Sequence, residues 1–102
     1  MMKLYQILNQ TGYKLKSEIH EVLTDTRCKT EKSKKAKILE IWKMYLTRAE
    51  EQTPDHYHKN AIRVYKQACT YKTIEMELDN LILFLDVLCN KMQNTMEGEW
   101  NE

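Results

Sequence analysis

Residues 79–89 read DNLILFLDVLC, a segment that is apolar on almost every side if it is helical. Asp79, Asp86 and Asn90 are seven and four residues apart, so on a helix they share one narrow polar row; apart from Asn80, every other residue from Leu78 to Cys89 is apolar. Such a helix has to be covered on more than one side, by other helices of its own bundle or by a partner chain. A chain of 102 residues is large enough to bury one core and too small for two. Two glycines and one proline, beside abundant Leu, Lys, Glu and Met, disfavour turn-rich β architectures. The expected class is all-α: a compact antiparallel bundle of three or four helices in a single domain over residues 1–95, followed by a frayed acidic tail over 96–102.

Periodicity places the helices. Leu4, Leu8, Thr11, Leu15, Ile19 and Val22 recur at three- and four-residue steps and predict a helix over about 3–24. Gly12 lies inside it, costs about 1 kcal/mol relative to Ala, and marks residues 10–12 as a place for a break. The stretch TDTRCKTEKS reads as a connection, with Thr30 or Ser33 as the cap of the next helix. That second helix, over about 31–51, carries Ile38, Leu39, Trp42, Tyr45, Leu46 and Ala49 on its apolar face. In QTPDHYH, Thr53 suits an N-cap, Pro54 the first helical position and Asp55 the positive end of the helix dipole. The third helix, over about 54–71, then has Tyr57, Ala61, Val64, Tyr65 and Ala68 as its face. Continuing that stripe past Tyr71 requires position 75, which is Glu, whereas a new stripe runs Ile74, Leu78, Leu81, Leu85, Leu88, Met92. The shift predicts a turn at residues 70–73 and a fourth helix over about 73–94.

Charge is polarised along the chain although the net charge is only +1. Arg27 to Arg48 holds eight basic residues against Glu31 and Glu40, while from Thr73 onward seven acids face a single Lys91. The basic stretch RCKTEKSKKAK suits an acidic partner or phosphates, but no aromatic side chain interleaves it to stack on bases. Cys28, Cys69 and Cys89 form no close metal-ligand pair and cannot all pair with one another, which points to a reduced cytoplasmic or nuclear setting. The start lacks the apolar run of a signal peptide. The longest apolar run, Leu81 to Leu85, is far short of the roughly 20 residues needed to cross a bilayer, so no membrane partner is expected.

Chemistry-bearing patterns are sparse. His56 and His58, two residues apart on a helix, point to nearly opposite sides, and His20 stands alone. HExxH and Cys/His zinc spacings are absent, and with only Gly12 and Gly98 no glycine-rich phosphate loop can be built. No cofactor or metal is expected. Cys69 and Cys89 sit in apolar surroundings as small hydrophobes; Cys28, near Arg27 and Lys29, is the thiol that neighbouring cations would acidify.

Two family resemblances carry functional implications. RAEEQTPDH resembles the R-x4-6-H motif of small helical nucleases of the HEPN type, with seven residues between Arg48 and His56 and Ala49 in place of the usual polar residue. WKMYLTRAEE (Trp42 to Glu51) and AIRVYKQA (Ala61 to Ala68) resemble the half-a-tetratricopeptide (HAT) repeat, which pairs a W-x2-Y-x3-E helix with an A-R-x-[VI]-Y-E-R-A helix. Trp42, Tyr45, Ala61, Val64, Tyr65 and Ala68 match; Ala49, Ile62 and the pair Lys66 and Gln67 stand where the motif has charged residues. One copy is visible, over residues 42–68. The resemblance implies an antiparallel helix pair used as a protein-binding scaffold, with Trp42 and Tyr65 as packing residues.

The function expected is a non-enzymatic protein–protein interaction module, an adaptor or small inhibitor that docks another protein or a second copy through a helix face. Leu83, Phe84 and Val87 are the expected contact residues, Tyr71 and Trp100 the aromatic anchors, and Lys32, Lys34, Lys35 and Lys37 the steering patch for an acidic partner. Nucleic-acid binding is the alternative, and a helical ribonuclease a more distant one.

Overall fold

The computed structural model describes residues 2–53 and 55–98. Five helices succeed one another: α1 (Leu4–Thr24), α2 (Glu31–Glu51), α3 (His56–Gln67), the short α4 (Tyr71–Glu75) and α5 (Leu78–Gln93). The protein is an all-α bundle, and one continuous core runs through it from Ile7, Leu8, Leu15 and Ile19 of α1 to Ile38, Trp42 and Leu46 of α2 and Leu81, Leu85 and Met92 of α5. α1 is the central helix, packed between α2 and α5, and α3 lies on the far side of α2.

In α1 the expected stripe is buried from Leu8 to Val22, with Ile7 and Gly12 added to it. No break occurs at residues 10–12. Gly12 is instead the point where α5 comes closest: a Cβ there would lie 2.8 Å from the Cys89 carbonyl oxygen and 2.8 Å from the Met92 Cβ. Polar contacts fix the antiparallel register of the two helices. Lys16 donates to Asn90 Oδ1 at 2.8 Å and pairs with Asp86 at 3.3 Å, so two members of the polar row of α5 face a cation on α1. Nearer the other end, Asn9 Nδ2 donates to the carbonyls of Met92 (2.8 Å), Gln93 (2.9 Å) and Thr95 (3.1 Å). It thereby adds a donor from a neighbouring helix at the C-terminal end of α5, where intrahelical partners run out, although the Met92 carbonyl also accepts from the Thr95 N–H at 3.3 Å. Asn9→Ala leaves those oxygens without that donor and is expected to lower the unfolding free energy by about 1 to 2 kcal/mol in urea titrations. A variant as stable as the parent would show that the cap contributes nothing.

Thr30 caps α2 by accepting from the Ser33 N–H at 3.0 Å. The Glu31 carboxylate accepts from the Leu78 N–H at 2.9 Å, which sets the start of α5 beside the start of α2. Ile38, Ile41, Trp42, Leu46 and Ala49 are buried, and Leu39 and Tyr45 are packed at the edge of the core.

The start of α3 differs from the expectation. Asp55 is the N-cap, accepting from the Tyr57 N–H at 3.1 Å, and the helix begins at His56. Thr53 faces the other way: it is buried, and its hydroxyl donates to the Ala49 carbonyl at 3.0 Å, closing α2. Pro54 lies outside the described residues. The buried face of α3 is also rotated from the predicted one. Ala61 and Ile62 are buried, whereas Val64 is 62% exposed and Tyr57 is exposed as well. The reason is that α3 packs chiefly on α2, and its inner side is fixed there by specific bonds. Trp42 Nε1 donates to the Tyr65 carbonyl at 3.1 Å, and Glu50 accepts from Arg63 at 2.7 Å and pairs with Lys66 at 3.6 Å. The Arg63 guanidinium beside Glu50 holds its carboxyl below the ordinary carboxylate range.

Between α3 and α5 the chain breaks twice rather than once. α3 ends at Gln67, and Thr70, in extended conformation, caps α4 by accepting from the Lys72 N–H at 3.3 Å. Met76 and Glu77 are extended again, so the last long helix starts at Leu78 and not near residue 73. Ile74, expected on the buried stripe of that helix, belongs to α4 and is 59% exposed. Beyond α5 the described chain is tied at two points. Thr95 is buried, its hydroxyl donates to the Lys91 carbonyl, and Glu97 pairs with Lys3. Residues 99–102 lie outside the described residues.

Candidate protein-interaction surface

Two shallow depressions, of about 540 and 300 Å³, lie between α2 and α4 and share Leu39 and Ile74 in their walls. Together they form one groove along the N-terminal half of α2. Ala36, Leu39 and Ile74 make its apolar floor, Trp42 and Cys69 lie beneath, and Thr70 and Thr73 close the end near α3. Lys32, Lys35, Lys43 and Lys66 stand around it, and none of the described lining residues carries a carboxylate.

Helical geometry explains the composition. Lys32, Lys35, Ala36, Leu39 and Lys43 recur at three- and four-residue steps, forming a second stripe on α2 next to the one that enters the core. The polar groups of the groove other than the lysines are already engaged. The Trp42 indole N–H is bonded to the Tyr65 carbonyl, the Thr73 hydroxyl donates to the Thr70 carbonyl at 2.6 Å, and the Thr70 oxygen caps α4. What the groove offers a ligand is apolar area bordered by ammonium groups.

The expected steering patch is divided by this geometry. Lys32 and Lys35 line the groove. Lys34 does not; its ammonium donates to the Leu23 carbonyl at 3.3 Å, at the C-terminal end of α1 where a cation suits the helix dipole. Lys37 is exposed but lies away from the groove-lining stripe. Lys43 and Lys66, which the sequence alone did not single out, complete the border. Lys43 was recognisable as the next step of the stripe after Lys35 and Leu39, whereas Lys66 reaches the site only through the tertiary packing of α3.

The expected contact residues on α5 separate in the same way. Leu83 and Val87 lie one turn apart on its outer side, 66% and 57% exposed. Phe84 is partly buried and packed against the core. No α5 residue is among those described as lining the groove, and the outer side of α5 is a separate apolar strip. The Tyr71 side chain and Trp100 lie outside the described part of the structure.

The remaining reactive groups are dispersed. His58 Nδ1 approaches Asp55 at 3.3 Å, and His56 and His20 are exposed. Arg48 lies over the Tyr45 ring, 5.7 Å from its centroid. Among the described residues, no group of three or more His, Cys, Asp and Glu is placed to hold a metal ion. Another recess, of about 150 Å³ between α1 and α5, brings Lys16, His20, Asp86 and Cys89 together. Lys16 is committed there to Asp86 and Asn90. Burial pushes the Cys89 thiol up to about 12 and that of Cys69 up to about 11. Thiols of that kind are overwhelmingly protonated near neutral pH and make poor nucleophiles. Maleimide labelling of the native protein is therefore expected to modify Cys28 first and to reach Cys89 only after denaturation. Rapid labelling of Cys89 in the folded protein would contradict the packing of α5 on α1.

No described helix is long and apolar enough to cross a membrane. Searches of family models, curated proteins and solved structures found no match to this chain.

Proposed function

We propose that this protein is a non-enzymatic interaction module whose docking site is the groove between α2 and α4. The observation that carries the proposal is the composition of that groove, an apolar floor bordered by Lys32, Lys35 and Lys43, and by Lys66 already paired with Glu50, with no described carboxylate among the lining residues. A surface of this kind attracts a negatively charged partner at long range and holds it by apolar burial at short range. Catalysis would call for convergent acid, base or nucleophile groups. The groove instead has spent hydroxyls, a buried thiol and lysines. The HAT-like helix pair supports the same reading, since Trp42 of α2 lies beneath the floor and its indole N–H is bonded to the Tyr65 carbonyl of α3.

The test is the native mass of the protein purified gently from its own cell, compared with that of a Lys32→Glu/Lys35→Glu variant. The expected outcome is a larger species containing a stoichiometric second protein, lost in the variant and weakened by salt. A monomer in both, or a complex indifferent to the charge reversal, would overturn the proposal.

A further inference from the structure

We infer that the groove takes an acidic amphipathic α-helix of another protein, about three turns long; this rests on the reading of the groove as a docking site. The backbone of the occupant decides its conformation. An extended peptide leaves its own N–H and C=O groups to be satisfied by the receptor, and proteins that bind such peptides offer an open strand edge for the purpose. Here no strand edge is present among the described residues: the long wall is α2, whose backbone is internally bonded, and the indole N–H, the Thr73 hydroxyl and the Thr70 oxygen are engaged within the protein. A ligand that satisfies its own backbone fits such a site, and a helix does so.

The length and pattern of the occupant are set by α2. Lys32 to Lys43 spans about 16 Å of helix axis, the length of about 11 residues of a partner helix. Its apolar stripe, at three- and four-residue steps, would rest on Ala36, Leu39 and Ile74, and carboxylates beside that stripe would meet Lys32, Lys35 and Lys43. Nucleic acid fits less well: Trp42, the aromatic ring beneath the floor, is fully buried and presents no face for a base.

The experiment uses labelled synthetic helical peptides of about 14 residues with leucines at helical spacing. One carries glutamates beside the leucine stripe, one carries lysines in their place, and one keeps the glutamates but replaces the leucines by glutamine. Fluorescence anisotropy with the full chain is expected to show binding of the acidic amphipathic peptide alone. Its affinity should fall about ten-fold or more in the Lys32→Glu/Lys35→Glu variant. It should change less than about two-fold in Lys34→Glu/Lys37→Glu, which alters the net charge equally but lies away from the groove. Circular dichroism of both variants confirms that they remain folded.

Several results would overturn the inference. These are equal binding of all three peptides, equal losses in the two variants, displacement by a short single-stranded RNA as effective as by unlabelled peptide, and a homodimer abolished by Lys32→Glu/Lys35→Glu. If the acidic peptide fails while the native complex is still lost on the same charge reversal, the docking site stands and the helical occupant is wrong. If both fail, the groove is not a docking site.

Discussion

Trp42→Ala is expected to be the most damaging single substitution in the α2–α3 half of the protein. The side chain is fully buried, and it belongs to the core while also forming part of the support for the groove. Removing a core tryptophan costs about 3 to 5 kcal/mol through lost apolar contact and the cavity left behind. The loss here also leaves the Tyr65 carbonyl, which accepts from the indole at 3.1 Å, without that donor. Against a total of about 5 to 15 kcal/mol for a typical domain, such a change removes a large share of the stability. Thermal and urea denaturation followed by circular dichroism would show it. Trp42→Phe separates the contributions: it keeps much of the ring volume, drops the N–H, and should fall between the parent and the alanine variant. An alanine variant within about 1 kcal/mol of the parent would mean that α2 does not pack as described.

Gly12→Ala is the second large effect, and its sign is the opposite of what helix propensity gives. In a solvent-exposed helix interior the change would stabilise by about 1 kcal/mol. Here the new methyl group would lie 2.8 Å from the Cys89 oxygen and 3.1 Å from the Gln93 nitrogen, both backbone atoms that no rotamer change can move. α5 would have to shift away from α1, carrying the bonds of Asn9 and Lys16 with it. Overpacking of this kind costs about 1 to 3 kcal/mol, so a net destabilisation is expected in urea titration. Ser17→Ala, at an exposed position of the same helix, is the control and should be neutral or slightly stabilising. A Gly12→Ala protein more stable than the parent would show that the two helices do not approach so closely.

Gly12 also shows where sequence reading reaches its limit. The residue reads as a local weakness because its reason lies some 80 positions away on α5, and no periodicity within α1 reports that contact. Asn9 is hidden for the same reason, since it looks like an ordinary polar residue until the end of α5 is brought beside it. The bounds of α1 and α2, by contrast, come from long, regular apolar stripes and from Thr30 as a cap, signals contained in the helices themselves. At residues 53–55 the sequence offers two good capping side chains in succession, and local chemistry does not choose between them. The fold assigns Thr53 to the end of α2 and Asp55 to the start of α3.

The two breaks around α4 carry neither glycine nor proline. They are made by Thr70 and by the extended pair Met76 and Glu77, and the sign of them in the sequence was the shift of the apolar stripe near residues 70–73. That displacement moves Ile74 from the expected core stripe into the floor of the groove. The apolar character of α5 was plain in the sequence, but which of its sides would be covered was not. α1 takes one side and the core another, leaving Leu83 and Val87 outside.

The contact between Lys3 and Glu97 has a topological consequence. The bundle begins and finishes at neighbouring points on one pole, while the groove lies along the half of α2 nearest the other pole. Such a domain is close to a closed ring. It can be spliced as a unit into a surface loop of a host protein, or permuted by joining its ends and opening the chain between α1 and α2, without rerouting any helix. A residue substituted at Lys3 or Glu97 would sit at the opposite pole of the bundle from the groove.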